Sequence, residues 1–223
     1  MDKKLFVRAL TRFFAGVLIV GALLFIPAGG FAYRWGWLFM GLLFVPMFAA
    51  GLVMMAKNPA LLERRLNARE GEDAQKAVIA GSALMFTAAF VLAGLNWRFR
   101  WVVCPTWLVI LGAALFITAY ALYAEVLREN EYLSRTVEVQ EGQKVVDTGL
   151  YGVVRHPMYA VTLVLFLSML LVLGSPLSLI PMLAYPALIV RRILNEEVVL
   201  ARGLPGYADY MKKVKYRLMP HIW

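Results

Sequence analysis

With 223 residues, 61% of them hydrophobic, and a mean hydropathy of +0.69, the chain is too apolar for a soluble domain, where about 45–50% apolar is usual. Its net charge of +9 does not indicate nucleic acid, because the Lys and Arg residues sit in loops and termini beside apolar runs, where anionic headgroups would meet them. One cysteine, Cys104, excludes an internal disulfide framework, and with only two histidines it gives no basis for a zinc or other metal site.

The first apolar run, 13–26, follows Lys3, Lys4, Arg8 and Arg12 and ends in a Gly/aromatic stretch without a small-x-small cleavage pattern. It reads as a retained helix rather than a signal peptide. Runs 35–56, 77–95 and 106–126 follow, each able to cross a hydrocarbon layer that needs about 20 residues. The connector 57–76 reads in two ways. It is an amphipathic helix on the headgroups, with Leu61, Leu62 and Leu66 toward lipid and Arg64, Arg65 and Arg69 toward water, or it is a solvated link. After the fourth run, Glu125 shares a helical face with Arg128 and Glu129, which predicts that the helix continues past the membrane through Leu133. Residues 136–140 alternate and Glu141-Gly142 reads as a turn before Val145-Val146, so a small β-hairpin is predicted there as a cap.

The fifth run, 158–190, would be about 50 Å long as one helix, against a core of about 30 Å. Gly174-Ser175-Pro176 interrupts it, with Pro181 and Pro186 beyond. Two short helices joined by a tight turn are predicted; the alternative is one long, kinked, tilted helix. The Lys/Arg distribution separates them. With the hairpin counted as two passes, 20 cations fall on one side, in the segments before the first helix, 57–76, 128–155 and after 190. Only Arg34, Arg98 and Arg100 fall on the other. By the positive-inside rule this predicts an inner-membrane, multi-pass, all-α bundle of five to six transmembrane helices, with both termini cytoplasmic. Trp35, Trp37, Trp97, Trp101 and Trp107 lie near the predicted outer ends, as interfacial residues do. One domain, 1–223, is expected, with N-terminal helices over 1–105 and a second module over 106–223.

Two polar clusters flank the fifth run. Gly149-Leu150-Tyr151 and Arg155-His156-Pro157-Met158-Tyr159 stand before it. Pro157 suits a first helical turn, so Arg155 and His156 lie where unsatisfied N–H groups favour an anion. Arg191-Arg192 and Glu196-Glu197 stand after it, with Tyr207 and Tyr210 beyond. Adjacent glutamates on a helix point about 100° apart, so one can face a pocket while the other meets solvent or Arg192. The hairpin would bring both clusters to one membrane face, a suitable place to join a soluble cofactor to an apolar substrate. Interfacial tyrosines and a charge-balanced helix end are the competing readings of the same residues.

Residues 128–137, Val146-Asp-Thr-Gly-Leu-Tyr151, Arg155-His-Pro-Met-Tyr159, Glu196-Glu197 and Gly206-Tyr207…Tyr210…Arg217…Pro220 together resemble the isoprenylcysteine carboxyl methyltransferase family, including its bacterial members, and more distantly the phospholipid N-methyltransferases. The resemblance implies an S-adenosylmethionine-dependent methyltransferase acting on a lipophilic or prenylated acceptor, with a cytoplasmic active site. It implies a cofactor site built from Gly149, Leu150, Tyr151, His156, Pro157, Tyr159, Glu197, Tyr207 and Tyr210, with Arg155 and Glu196 placing the acceptor. Two positions depart from the family pattern: Leu150 stands where Pro is common, and Val161 where Gly is frequent. On this reading Arg155→Ala and Glu196→Ala are each expected to abolish turnover without unfolding the protein. A sterol-reductase-like enzyme using NADPH and a non-catalytic lipid-binding membrane protein are the alternatives; membrane lipids are expected partners in every case, and nucleic acid in none.

Overall fold

In the computed structural model, which describes residues 3–66, 73–134 and 136–223, the chain is an integral membrane helix bundle. Helices α1 (Lys3–Phe25), α2 (Arg34–Lys57), α4 (Asp73–Phe99) and α5 (Thr106–Glu129) are long and apolar enough to cross a membrane, as is the bent stretch Pro176–Gly203. Between α2 and α4 lies the short helix α3 (Pro59–Leu66). The fifth run divides into α6 (Pro157–Val172), a 3₁₀ turn (Pro176–Ser178), α7 (Leu179–Met182) and α8 (Tyr185–Gly203); α9 (Tyr207–Lys213) follows.

The hairpin prediction holds, and the break has a local cause. Gly174 has φ +61°, a conformation that suits glycine, and a Cβ there would come within 2.7 Å of the Trp35 ring. A turn buried at this depth must satisfy its polar groups internally. Tyr33 donates its hydroxyl to the Leu173 carbonyl at 2.6 Å, and Ser178 Oγ donates to the Ala89 carbonyl at 2.9 Å. Pro186 sits in the first turn of α8, where its missing N–H costs nothing.

Helices α5 and α6 run antiparallel in the closest pairing of the bundle. Gly112 permits it: a Cβ there would lie 2.4 Å from Leu171 Cβ and 2.9 Å from the Val172 nitrogen. Gly112→Ala is therefore expected to destabilise the protein by about 1–3 kcal/mol through overpacking, read as a lower melting midpoint in detergent. An unchanged midpoint would mean that the helices can separate freely at this point.

The basic segments gather at one end of the bundle. Arg8 pairs with Glu63 at 2.9 Å, Arg64 donates to the Glu131 carbonyl and Arg65 to the Tyr123 hydroxyl. At the opposite end, Arg34 lies over Trp35 and Arg100 over Trp97, while Trp37, Trp101 and Trp107 are exposed.

Three local expectations need correction. Leu61 and Leu62 of α3 are buried, Leu62 against Leu5 and Met55, not turned to lipid, and Arg64 and Arg65 tie α3 to the end of α5 rather than facing water; Arg69 lies outside the described residues. Helix α5 ends at Glu129 with Asn130 as its cap instead of continuing to Leu133. Residues 136–146 turn at Glu141-Gly142 as expected, but among the described residues no strand forms. Side chains take the hydrogen bonds a ladder would have used. Gln140 Nε2 donates to the Tyr132 carbonyl at 2.6 Å, the Gln140 N–H donates to Gln143 Oε1 at 2.9 Å, and Tyr132 donates to the Gly142 carbonyl at 3.2 Å. Such local bonds compete with regular pairing.

Candidate active site

The loop before α6 is shaped by Gly149. Its φ is +51°, and the Glu129 carboxylate occupies the space a side chain would need, with Oε1 only 1.4 Å from an ideal Cβ. Glu129 Oε2 can then accept the Leu150 N–H at 3.0 Å. The chain makes a single 3₁₀ turn (Gly149–Gly152) that buries Tyr151, whose hydroxyl accepts from Asn130 Nδ2 at 3.0 Å and whose carbonyl accepts from the Tyr210 hydroxyl at 2.8 Å. His156 precedes α6, and Pro157 opens it.

Folding the hairpin back brings α8 against this loop and separates the two adjacent glutamates. Glu197 points inward and is 5% exposed. Its Oε1 accepts from Arg155 Nε at 2.7 Å and lies 3.3 Å from His156 Nε2; its Oε2 accepts from Arg217 Nε at 2.8 Å. Arg155, 7% exposed, also donates Nη1 to the Val214 and Lys215 carbonyls at 2.7 and 2.9 Å. The C-terminal segment closes behind them: the Arg155 and His156 N–H groups donate to the Tyr216 and Arg217 carbonyls, each at 2.9 Å. A buried carboxylate holding two guanidinium groups and an imidazole is tolerable only because nearly every lone pair is used.

Glu196 faces the other way, into a cavity. It accepts from the Tyr159 hydroxyl and lies 4.0 Å from His156 Nδ1. Arg192 donates Nε to the same tyrosine oxygen at 2.8 Å, and the His156 ring stacks on Tyr159. One cavity wall is the irregular segment around 130–146, a second is Tyr151 with residues 155–159, and a third is Arg192, Glu196 and Leu200 with Leu204, Tyr207 and Tyr210.

Tyr207 supplies the clearest opening for a ligand. The residue lines the cavity, and its hydroxyl is buried and has no hydrogen-bond partner among the described residues. Burial first, and then the Glu197 and Glu196 carboxylates, raise its pKa far above the ordinary tyrosine value, so it is a donor and not a phenolate. A buried hydroxyl without a partner is costly unless something else supplies one. Burial likewise raises Tyr151 and Tyr210, but their hydroxyls are already engaged.

Of the residues singled out in the sequence, Tyr151, Arg155, His156, Pro157, Tyr159, Glu196, Tyr207 and Tyr210 line the cavity. Gly149, Leu150 and Glu197 stand behind its wall and shape it. Val161 is buried in the bundle core and does not border the cavity. Three partners were missed as site residues: Arg217, Arg192 and Gln75. Arg217 and Arg192 carry a readable signal, basic residues beside the tail tyrosines and the glutamate pair. Gln75 carries none, being one amide at the start of an apolar helix.

Residues 107–205 match the phospholipid methyltransferase family model, which supports a methyltransferase-like membrane protein. The chain is also similar to Delta(14)-sterol reductases. That of Mus musculus is 30% identical over 92 residues, covering 40% of this chain and 22% of the reductase. That of Methylotuvimicrobium alcaliphilum is 24% identical over 134 residues, covering 53% and 31%. The chain thus spans less than a third of the length of these curated relatives.

Proposed function

We propose that this protein is an S-adenosylmethionine-dependent methyltransferase acting on a lipophilic acceptor, with the carboxylate of an isoprenylcysteine-like lipid as the favoured substrate. The observation that carries the reading is the cavity itself: it is built almost wholly from the matched region and its tail, and one of its lining residues, Tyr207, carries a buried hydroxyl without a partner among the described residues. Its polar lining is of mixed sign, with Glu138 and Glu196 facing Lys144 and Arg192. That suits a cofactor carrying both a carboxylate and an ammonium. A polyanionic nicotinamide cofactor would ask for an excess of cations, whereas Lys144 and Arg192 share the lining with Glu138 and Glu196, and Arg155 is already engaged by Glu197.

In this reading Tyr207 donates to the cofactor, His156 and Tyr151 border its amino-acid end, and Glu196 holds a donor from cofactor or acceptor. The cofactor would supply a methyl group on a cationic sulfonium for in-line displacement. The protein's own contribution is position and the exclusion of water, which can account for much of the acceleration. A carboxylate acceptor needs no base. An ammonium acceptor must lose a proton first, and the placement of Glu196 in the cavity wall favours that class as the second reading. We place the basic end of the bundle, and so the cavity, at the cytoplasmic face of the inner membrane, on the strength of the charge asymmetry.

Calorimetric titration of the detergent-purified protein with S-adenosylmethionine, its demethylated product and NADPH tests the cofactor. Binding of the first two is expected; binding of NADPH alone would replace this reading with a reductase, and binding of none with a lipid-binding protein. Two tyrosine variants refine it. Tyr207→Phe is expected to weaken cofactor binding about 10-fold with melting unchanged or raised, because a buried hydroxyl that lacks a protein partner is removed. Tyr210→Phe is expected to cost about 1 kcal/mol of stability through its lost bond to Tyr151, with little change in affinity.

A further inference from the structure

Glu196 is connected to the N-terminal half of the chain, outside the family match at 107–205. Gln75, in the first turn of α4, is fully buried. Its amide grips Arg192 at two points: Oε1 accepts from Arg192 Nη1 at 3.2 Å, and Nε2 donates to the Arg192 carbonyl at 3.3 Å. Arg192 then donates Nε to the Tyr159 hydroxyl, which donates onward to Glu196 Oε2. An amide buried at this depth must have partners, and these two both belong to one arginine. One contact holds the guanidinium and the other the backbone carbonyl, so Gln75 engages both ends of Arg192, whose Nε–H occupies the Tyr159 oxygen while the tyrosine proton goes to Glu196.

We propose that Gln75 is a positioning residue of the site, acting through Arg192 and Tyr159 to set the orientation in which Glu196 meets a ligand in the cavity. The inference rests on the cofactor reading above only for its ligand. The matched module is then not self-sufficient, because an N-terminal helix completes the support of its acidic group.

A double-mutant cycle tests this in the full-length protein, with S-adenosylmethionine and its demethylated product as calorimetric probes. Gln75→Leu is expected to lower affinity about 10-fold in the wild-type background but less than about 2-fold beside Tyr159→Phe, where the relay is already cut. Gln75→Glu, which keeps the acceptor for Arg192 Nη1 but loses the donor to its carbonyl, should recover part of the loss. Equal losses in both backgrounds would make Gln75 a packing residue and overturn the proposal, as would no loss at all. If Gln75→Leu does not fold, Arg192→Lys, which keeps the charge but not the guanidinium fork, makes the same cut in the same cycle. Should the wild-type protein bind neither probe, the cofactor reading fails. The cycle is then decided on melting midpoints of the unliganded protein, where non-additivity sustains the relay and additivity removes it.

Discussion

Replacing Glu197 with alanine is expected to destabilise the protein by about 3–5 kcal/mol, the range for removing one partner of a buried ion pair, and to abolish cofactor binding. Two guanidinium groups and His156 converge on this carboxylate. Without it, Arg155 is left 5% exposed at its side chain with no counter-charge, and the tail loses the bond from Arg217. Chemical unfolding in detergent measures the stability, and calorimetry measures the binding. A variant as stable as the wild type would mean that the cluster is not the keystone its geometry describes. The same geometry changes the expectation for Arg155. Its Nε and Nη1 are committed to Glu197 and to two backbone carbonyls, so Arg155→Ala should lose stability as well as turnover.

Glu196→Gln is expected to behave in the opposite way. Its side chain is 23% exposed, and a glutamine oxygen can still accept from Tyr159, so stability should change by about 1 kcal/mol or less. Turnover should fall about 100-fold or more, on the scale of losing a positioned acid–base or charge-placing group. Transfer of labelled methyl from S-adenosylmethionine into lipid-extractable product measures it. Normal rates in this variant would remove Glu196 from the chemistry and leave the acceptor to be placed by other groups. Neighbouring glutamates thus have separable tests, one of architecture and one of reaction.

Much of the bundle is legible in the sequence. Apolar runs of spanning length, the glycine-serine-proline break and the one-sided placement of Lys and Arg all follow from local composition, and they fixed the hairpin and the shared end of the two ionic clusters. The irregular cap at 132–146 was not legible, because alternation reports which side chains are apolar and not where backbone hydrogen bonds go. Gln140, Gln143 and Tyr132 took those bonds with side chains. Nor was the inward packing of α3, since Leu62 looks the same to lipid as to Leu5 and Met55.

The amino-acid order by itself determined that the chain lives in a membrane, folds its fifth apolar segment back, and gathers arginine, histidine, glutamate and tyrosine at one face. Only the tertiary structure decided their parts: Glu197 as the buried anchor of Arg155 and Arg217, Glu196 as the carboxylate in the cavity, Tyr207 as the hydroxyl left without a partner. The reason is physical. Hydrophobicity and backbone preference act through neighbours in sequence, whereas the work of an ionisable group depends on which distant charges and carbonyls the fold brings within hydrogen-bonding distance.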